Sequence, residues 1–560
     1  MAKIDKTVLK YTETKAQSSF LSLCFFAFAA LFLCICALFF RLPRLSERPM
    51  HGDEAVHASR FGDLLEKGNY IYDSYEYHGP TLNYFTLIPA ELLSQKTLVQ
   101  ADEVTLRIVP VFFGVLLVLS VFLICDGLGR GATIWAALLT AISPAMIFYS
   151  RYYIQEMLLV FFTFGIIAAG YRYYRSGKVS WAVLAGASAG LMHATKETGV
   201  IAAASMLLSL LLVWLWNRRN AAAAKTNKKI KPAHILAGLA VFVFVSALFF
   251  SSFGKNLTGI VDSVRTYSTY VDRAGNNNIH NHPWNYYLHI LLLYKFGTGP
   301  IWTEAIIVFL AVVGLTSAIT GRGLPLADIS LLRFLGLYTL FITAAYCIIP
   351  YKTPWCLLSF LNGMLLLAGL GAVVLLKLTP KKLPRVIILS LLAGAVLHLA
   401  WEAYRSNYVY YADSRNPYVY AAPTTEIYTA VEKVNYYAAA DSRGHRMYID
   451  VIFPEHDYWP LPWYLRAFPN VGYSDHVVQQ QALAPLIIAA PQVEAELIKR
   501  IYDPAIPFEQ RQLYLFIFEK PYYVWLRPKI ELWGYVRKDL WDAAQQGQIW
   551  QDSTSKAIKK

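Results

Sequence analysis

The chain has 560 residues, 56% of them hydrophobic and 16% charged, with a net charge of +14. Soluble domains lie nearer ~45–50% apolar and ~25% charged, so the composition excludes an ordinary soluble protein, and its apolar and aromatic content excludes a disordered one. The positive charge would suggest nucleic acid as a partner on a soluble protein; here its placement along the chain decides.

A spanning helix needs about 20 mostly apolar residues. In chain order such runs are predicted at 18–40, 105–125, 132–149, 155–171, 179–194, 199–216, 233–252, 300–319, 332–349, 355–377 and 384–402. The first is not a cleaved signal peptide: it is long, lacks a small-residue cleavage site and runs into Arg41-Leu-Pro-Arg44. A shorter run at 81–93 carries Asn83, Pro89 and Glu91. Basic residues cluster at Lys3, Lys6, Lys10 and Lys15, at Arg172, Arg175 and Lys178, from Arg218 to Lys231, and at Lys377, Lys381, Lys382 and Arg385. All four clusters fall on the cytoplasmic side if 81–93 lies in or on the membrane, whereas a spanning 81–93 would set the N-terminus against the other three. The expectation is therefore eleven spans plus a re-entrant or interfacial helix. The basic excess is an orientation signal, and nucleic acid drops out as a partner. Cys24, Cys34, Cys36, Cys125, Cys347 and Cys356 lie in or beside apolar runs, with neither metal-type spacing nor a disulfide framework.

This topology leaves outer regions at about 41–104, 150–155, 195–199, 253–299 and 350–354, and the chain after Trp401. Residues 448–453, 486–490 and 513–518 read as buried strands of a small α/β domain. The predicted architecture is a membrane domain over 1–403 and an extracytoplasmic domain over 404–560.

The first outer loop holds His51-Gly-Asp53-Glu54-Ala55, followed by an amphipathic helix predicted over 55–65, so Asp53 sits near a helix N-terminus that keeps a carboxylate ionised. A solvated loop start with Asp53 as the N-cap is the plainer account. Arg151 and Glu156 follow at the next outer turn, where an ion pair between them at a helix mouth is the structural alternative. Lys196 in Thr195-Lys-Glu-Thr-Gly199 and Lys352 in Tyr351-Lys-Thr-Pro-Trp355 occupy outer turns that disfavour cations, although a lone Lys can snorkel at an interface. The 253–299 loop adds Arg265, Arg273, His280 and His282, and its 283–296 portion reads as an interfacial helix. Trp459-Pro-Leu-Pro-Trp463-Tyr464 could stack a sugar, or form a rigid core turn.

Acids, cations and aromatics on one outer face of an apolar body suit a substrate with an anionic head and a hydrocarbon tail, such as a sugar on a polyprenyl phosphate. Its transfer needs one carboxylate to take the acceptor proton and cations to stabilise the departing phosphate, which implies inversion. Asp53 could supply the base, and Lys196, Lys352 or Arg151 the clamp.

The order of these motifs resembles the GT-C superfamily of membrane glycosyltransferases, especially protein O-mannosyltransferases and lipid A aminoarabinose transferases. Asp53-Glu54 matches their acidic pair, and His78-Gly-Pro80-Thr-Leu-Asn-Tyr84 with Leu106-Arg107-Ile-Val-Pro110 is similar to their path into the second span. Arg151 and Glu156 are similar to the Arg and acid of the O-mannosyltransferases' second outer loop. The chain is most similar to a prokaryotic family labelled flippase-activity-associated, through His51-Gly-Asp-Glu-Ala55, Thr195-Lys-Glu-Thr-Gly199 and Tyr351-Lys-Thr-Pro-Trp355. The resemblance covers roughly 18–425. It implies a polyprenyl-phosphate-sugar-dependent glycosyltransferase at the outer face of a prokaryotic inner membrane, acting on a protein, lipid or glycan acceptor. Asp53, Glu54 and Glu156 are the implied catalytic acids; Arg151, Lys196, Lys352, His78, Tyr84 and Arg273 are the implied substrate or phosphate ligands. His78 departs from the phosphate-binding Lys of the aminoarabinose transferases, so the clamp falls to the other cations or to a metal. Asp53 and Glu156, with Glu54, could hold Mg²⁺ or Mn²⁺ through oxygen. The rival reading is a lipid-linked-sugar flippase or its accessory subunit, which would need a polar path across the bilayer.

Overall fold

The computed structural model describes residues 6–75, 78–219, 230–275, 280–324, 327–479, 482–505, 507, 509 and 511–546, with the side chains of 6–23 and 270–275 outside the description. The chain is mostly helical and divides into two compact units. One comprises 1–45, 69–85 and 107–409; the other comprises 46–68, 86–106 and 410–560.

The first unit is a helical membrane body. Among the described residues eight helices are long and apolar enough to cross a bilayer: Cys24–Arg41, Glu103–Leu128, Glu156–Ser176, Gly199–Arg219, Pro232–Phe250, Ile329–Ile348, Pro354–Leu378 and Lys382–Val409. Arg130–Ile142 and Pro144–Ser150, bent by 57° at Ser143, make a ninth if counted as one span, and Val179–His193 and Ala305–Thr320 are shorter apolar helices. All eleven predicted runs are thus helical. Pro354–Leu378 is apolar all round because it is buried all round, with 94% of its window inside the protein. Small residues let its neighbours in. A Cβ on Gly371 would lie 2.0 Å from the Leu310 carbonyl, so the helix containing it approaches Ala305–Thr320 backbone to backbone. Lys382–Val409 and Pro232–Phe250 instead present most of their apolar surface outward, as lipid-facing helices do.

Thr81–Leu92 is a twelve-residue helix. At 1.5 Å per residue it is about 18 Å long, well short of the ~30 Å hydrocarbon core.

The second unit contains a six-stranded sheet: β1 (Ile449–Ile452), β2 (Val471–Ser474), β3 (Leu486–Ala489), β4 (Tyr514–Phe516), β5 (Tyr523–Arg527) and β6 (Ile530–Arg537), in the order β2-β1-β3-β6-β4 with β5 also on β6. β1 runs parallel to β2 and β3, while β6 is antiparallel to β3, β4 and β5. Leu486 and Ile488 pack into one core with Leu532 and Val536; Ile487 and Ala489 pack into another with Tyr535, as a period of two requires. The helix Glu426–Ala440 joins the first core, and Glu494–Ile501 the second.

Candidate active site

In the second unit, the acidic pair opens the helix Gly52–Lys67. The N-cap is His51 rather than Asp53: its Nδ1 accepts the Asp53 N–H at 3.0 Å, and the Glu54 carboxylate accepts the His51 N–H at 3.0 Å. These reciprocal bonds form a capping box. Arg48 lies 3.5 Å from the other Glu54 oxygen. His51 Nε2 is 3.0 Å from the Tyr420 carbonyl. The two acids therefore differ sharply: the Glu54 side chain is fully buried, and that of Asp53 is 52% exposed. Burial lowers the affinity of the His51 ring for a second proton, against the attraction of Asp53 and Glu54.

The Trp459–Tyr464 segment packs against this helix start. The Trp459 Cβ meets Gly52, and the Tyr464 hydroxyl accepts the Met50 N–H at 2.9 Å. Trp463 is buried, donates to Glu103 at 2.8 Å and carries the Arg466 guanidinium 3.7 Å above its ring. The segment is a packed turn, and Trp463 offers no open face to a sugar.

In the first unit, Arg41 and Arg151 serve backbone. Arg41 donates to the Thr140 and Ala141 carbonyls at the end of Arg130–Ile142. Arg151 donates to the carbonyls of Arg41, Pro43 and Arg44 and to the Tyr408 hydroxyl. Such placements suit a cation, since helix C-termini concentrate unpaired carbonyls. The ion pair considered between Arg151 and Glu156 is replaced by one between Glu156 and Lys196, both almost completely buried. Burial acts to lower the Lys196 ammonium, but the Glu156 charge overrides it and holds the group above the usual lysine range.

Beside that pair, Glu197 accepts from the Tyr72 hydroxyl at 3.0 Å and lies 2.8 Å from His78 Nδ1. Burial acts to raise the Glu197 carboxyl, while His78 and Lys196 hold it below the usual range. A Cβ on Gly79 would sit 2.2 Å from the Ala194 carbonyl, so only glycine fits there. Thr81 completes the clamp: its N–H donates to Ala194 O at 3.2 Å, and its hydroxyl bonds Thr195 Oγ1 at 2.8 Å. The Tyr84 hydroxyl bonds Ser252 at 2.6 Å.

Lys352 is buried, with its ammonium donating to the His282 carbonyl at 3.1 Å and to the Ile349 carbonyl. The predicted 283–296 helix is shorter, Tyr286–Leu292, because Tyr294 leaves it to pair with Trp302. Arg273 falls in the helix Thr258–Gly275, with its side chain outside the described residues.

The predicted residues thus resolve into the capped Asp53-Glu54 turn in one unit and the Glu156–Lys196 and Glu197–His78 pairs in the other. Sequence reasoning assigned no role to Glu197 or Tyr72. An acid directly beside a conspicuous outer lysine was the available signal for the first; Tyr72 had none. For a divalent cation the fit is poor. Glu156 is taken by Lys196, Glu54 by the cap and Arg48, and the described residues contain no group of three or more His, Cys, Asp or Glu able to hold a metal.

Residues 81–256 match the family model described as dolichyl-phosphate-mannose-protein mannosyltransferase. No curated protein matches the chain in sequence. Among solved structures, ArnT from Cupriavidus metallidurans bound to undecaprenyl phosphate is 14% identical with a TM-score of 0.58, covering 91% of this chain and 97% of its own. The chain has the GT-C fold. The oligosaccharyltransferase of Archaeoglobus fulgidus, tethered with an acceptor peptide, is 15% identical with a TM-score of 0.51 over 80% of this chain. The chain spans 63% of that enzyme's length.

Proposed function

We propose that the chain transfers a sugar from a polyprenyl-phosphate donor to an acceptor hydroxyl, with inversion, at the outer face of a prokaryotic inner membrane. The observation that carries this reading is the contrast among the candidate acids: Asp53 is half exposed at a capped helix start, whereas Glu54 and Glu156 are buried against cations. A general base must reach the hydroxyl it deprotonates, and the helix N-terminus keeps Asp53 ionised. The GT-C fold supports the donor class, since the ArnT structure carries undecaprenyl phosphate.

In this mechanism Asp53 takes the acceptor proton as the acceptor oxygen bonds the anomeric carbon. The bond from that carbon to the phosphate oxygen breaks, and its electron pair leaves with the phosphate. The leaving group is an anion, so it needs stabilising charge rather than the proton donor of a glycosidase. Glu54 holds the helix that carries Asp53. Lys352, whose ammonium donates to the His282 and Ile349 carbonyls, adds positive potential. Residues 1–403 are assigned to catalysis, and 404–560 to covering the site or receiving the acceptor.

The test is donor consumption by the protein in lipid nanodiscs, given polyprenyl-phosphate sugars and membrane-extract acceptors. Asp53→Asn is expected to lower turnover by about 10²–10⁴-fold, the usual worth of a general base, and EDTA to leave it unchanged. Undiminished turnover in Asp53→Asn would remove Asp53 from the mechanism. Donor binding with no consumption over any acceptor would favour the flippase reading.

A further inference from the structure

The antiparallel half of the sheet gathers its aromatic residues on one face. Directly opposed residues of an antiparallel pair share a face. The register Tyr523↔Trp533, Trp525↔Glu531 and Phe516↔Tyr535 therefore places these rings on one side together with a single acid. Tyr522 joins them from the turn before β5. Phe516 lies nearly parallel to Tyr535, at 5.2 Å and 36°, and to Tyr522, at 5.3 Å and 29°, with Trp533 edge-on at 5.9 Å. Exposure rises along this row, from 6% at Tyr535 to 39% at Phe516 and 48% at Tyr522. Trp533 is partly exposed beside it.

Tyr522 holds a backbone conformation that its side chain disfavours. Its φ is +77°, in the left-handed region where a bulky residue is a strained outlier. The turn itself needs only the bond from the Tyr522 N–H to the Glu519 carbonyl, at 2.7 Å, and glycine or asparagine would make it without strain. What tyrosine adds at this point is an aromatic face, half of it open. The acid narrows the choice of partner. Trp533 Nε1 donates to Glu531 at 2.8 Å, which fixes the indole plane and leaves the other carboxylate oxygen without a partner among the described residues. An ionised acid among the rings is costly against lipid tails. The open area of Phe516 and Tyr522 is on the order of 200 Å², taking ~150–250 Å² per aromatic residue, well short of the ~800 Å² per partner of a stable protein interface.

We propose that Phe516, Tyr522 and Trp533 form a stacking platform for a neutral sugar, with Glu531 accepting from one of its hydroxyls. A pyranose carries C–H groups on its ring faces and hydroxyls around its rim, so flat apolar rings bordered by one placed acceptor complement it. The charge of Glu531 disfavours a uronate or other anionic sugar. This face is distinct from the Trp459–Tyr464 turn, whose Trp463 is closed by Glu103 and Arg466. Binding here needs neither a donor lipid nor a transfer step, so it stands or falls apart from the transferase reading.

The probes are cellotetraose, maltotetraose, chitotetraose and tetragalacturonate, titrated calorimetrically against the full chain in nanodiscs with no donor present. At least one neutral tetramer is expected to bind, and tetragalacturonate more weakly than it does. Tyr522→Gly and Tyr522→Asn both suit the left-handed backbone and both remove the ring. They are expected to keep the wild-type melting temperature while losing about tenfold in affinity, as loss of a central aromatic contact does. Tyr522→Phe, which keeps the face, is expected to bind as the wild type does. No binding of any neutral tetramer by the wild type, or undiminished binding by the glycine and asparagine variants, would overturn the platform. Tetragalacturonate bound more tightly than every neutral tetramer would overturn the neutral class. A wild-type dimer that both ringless variants lose would give the face to a second copy of the chain and overturn the sugar.

Discussion

His51 shows how one proton can hold a helix start in place. Its Nδ1 accepts from the Asp53 N–H, so the ring proton belongs on Nε2, facing the Tyr420 carbonyl. A second proton would land on the accepting nitrogen and break the cap. Burial already holds the folded ring below the ordinary histidine value near ~6.5, so on acidification the unfolded chain binds a proton that the folded chain refuses. This contribution to stability is complete above about pH 6.5 and is lost as pH falls towards the folded value. The melting temperature of the purified protein should therefore drop as pH is lowered from 7 to 5, and His51→Asn, whose side chain caps without titrating, should flatten part of that drop. An identical pH dependence in the variant would show that other groups cause it. The residue types of this turn were legible in sequence, but their roles were not. Asp53 looked like the cap until His51 took the Asp53 N–H, and Arg151 looked like the partner of Glu156 because it is near in sequence. The true partner, Lys196, comes from a turn 40 residues away.

Among elements, the helices were legible and the sheet only partly. A lipid-facing or buried helix leaves an unbroken apolar run, and every such run is helical, with 132–149 divided into two helices at Ser143. β3, buried on both faces, was visible for the same reason. β2 and β5 are short and half exposed, so their sequences mix polar and apolar residues without a clear run. β6 hides a better signal, Ile530, Leu532 and Val536 at alternate positions, interrupted by Gly534 on the same face. Close approach of elements was not legible at all, because no pattern within one segment records what lies against it. Gly79 and Gly170 illustrate the difference. Gly79→Ala should push 78–81 off Ala194, costing about 1–3 kcal/mol by overpacking. Gly170→Ala, inside Glu156–Ser176 with nothing within 4 Å of the added methyl, should be neutral or stabilise by up to about 1 kcal/mol. Thermal melts of the two variants side by side would check both.

At the scale of the whole molecule, charge gives the most testable expectation. Arg172, Arg175 and Lys178 join two apolar helices, as do Arg218, Arg219 and Lys231, and both connections should face the cytoplasm. In a cysteine-free background, Lys178→Cys should react with a membrane-impermeant maleimide only after cells are opened, and Ser442→Cys in intact spheroplasts. Reaction of both from the same side would refute the topology. The grouping of the chain adds a consequence for biogenesis. Residues 46–68 and 86–106 belong to the unit completed by 410–560, so the chain passes between the units five times. During synthesis those two early segments emerge hundreds of residues before the strands of their own unit exist. Until then they lack the strands of their own unit while nearly all the membrane helices are being made. It also means that a cut near residue 403 would not yield two finished halves, since the C-terminal product would lack 46–68 and 86–106, and the N-terminal one 404–409.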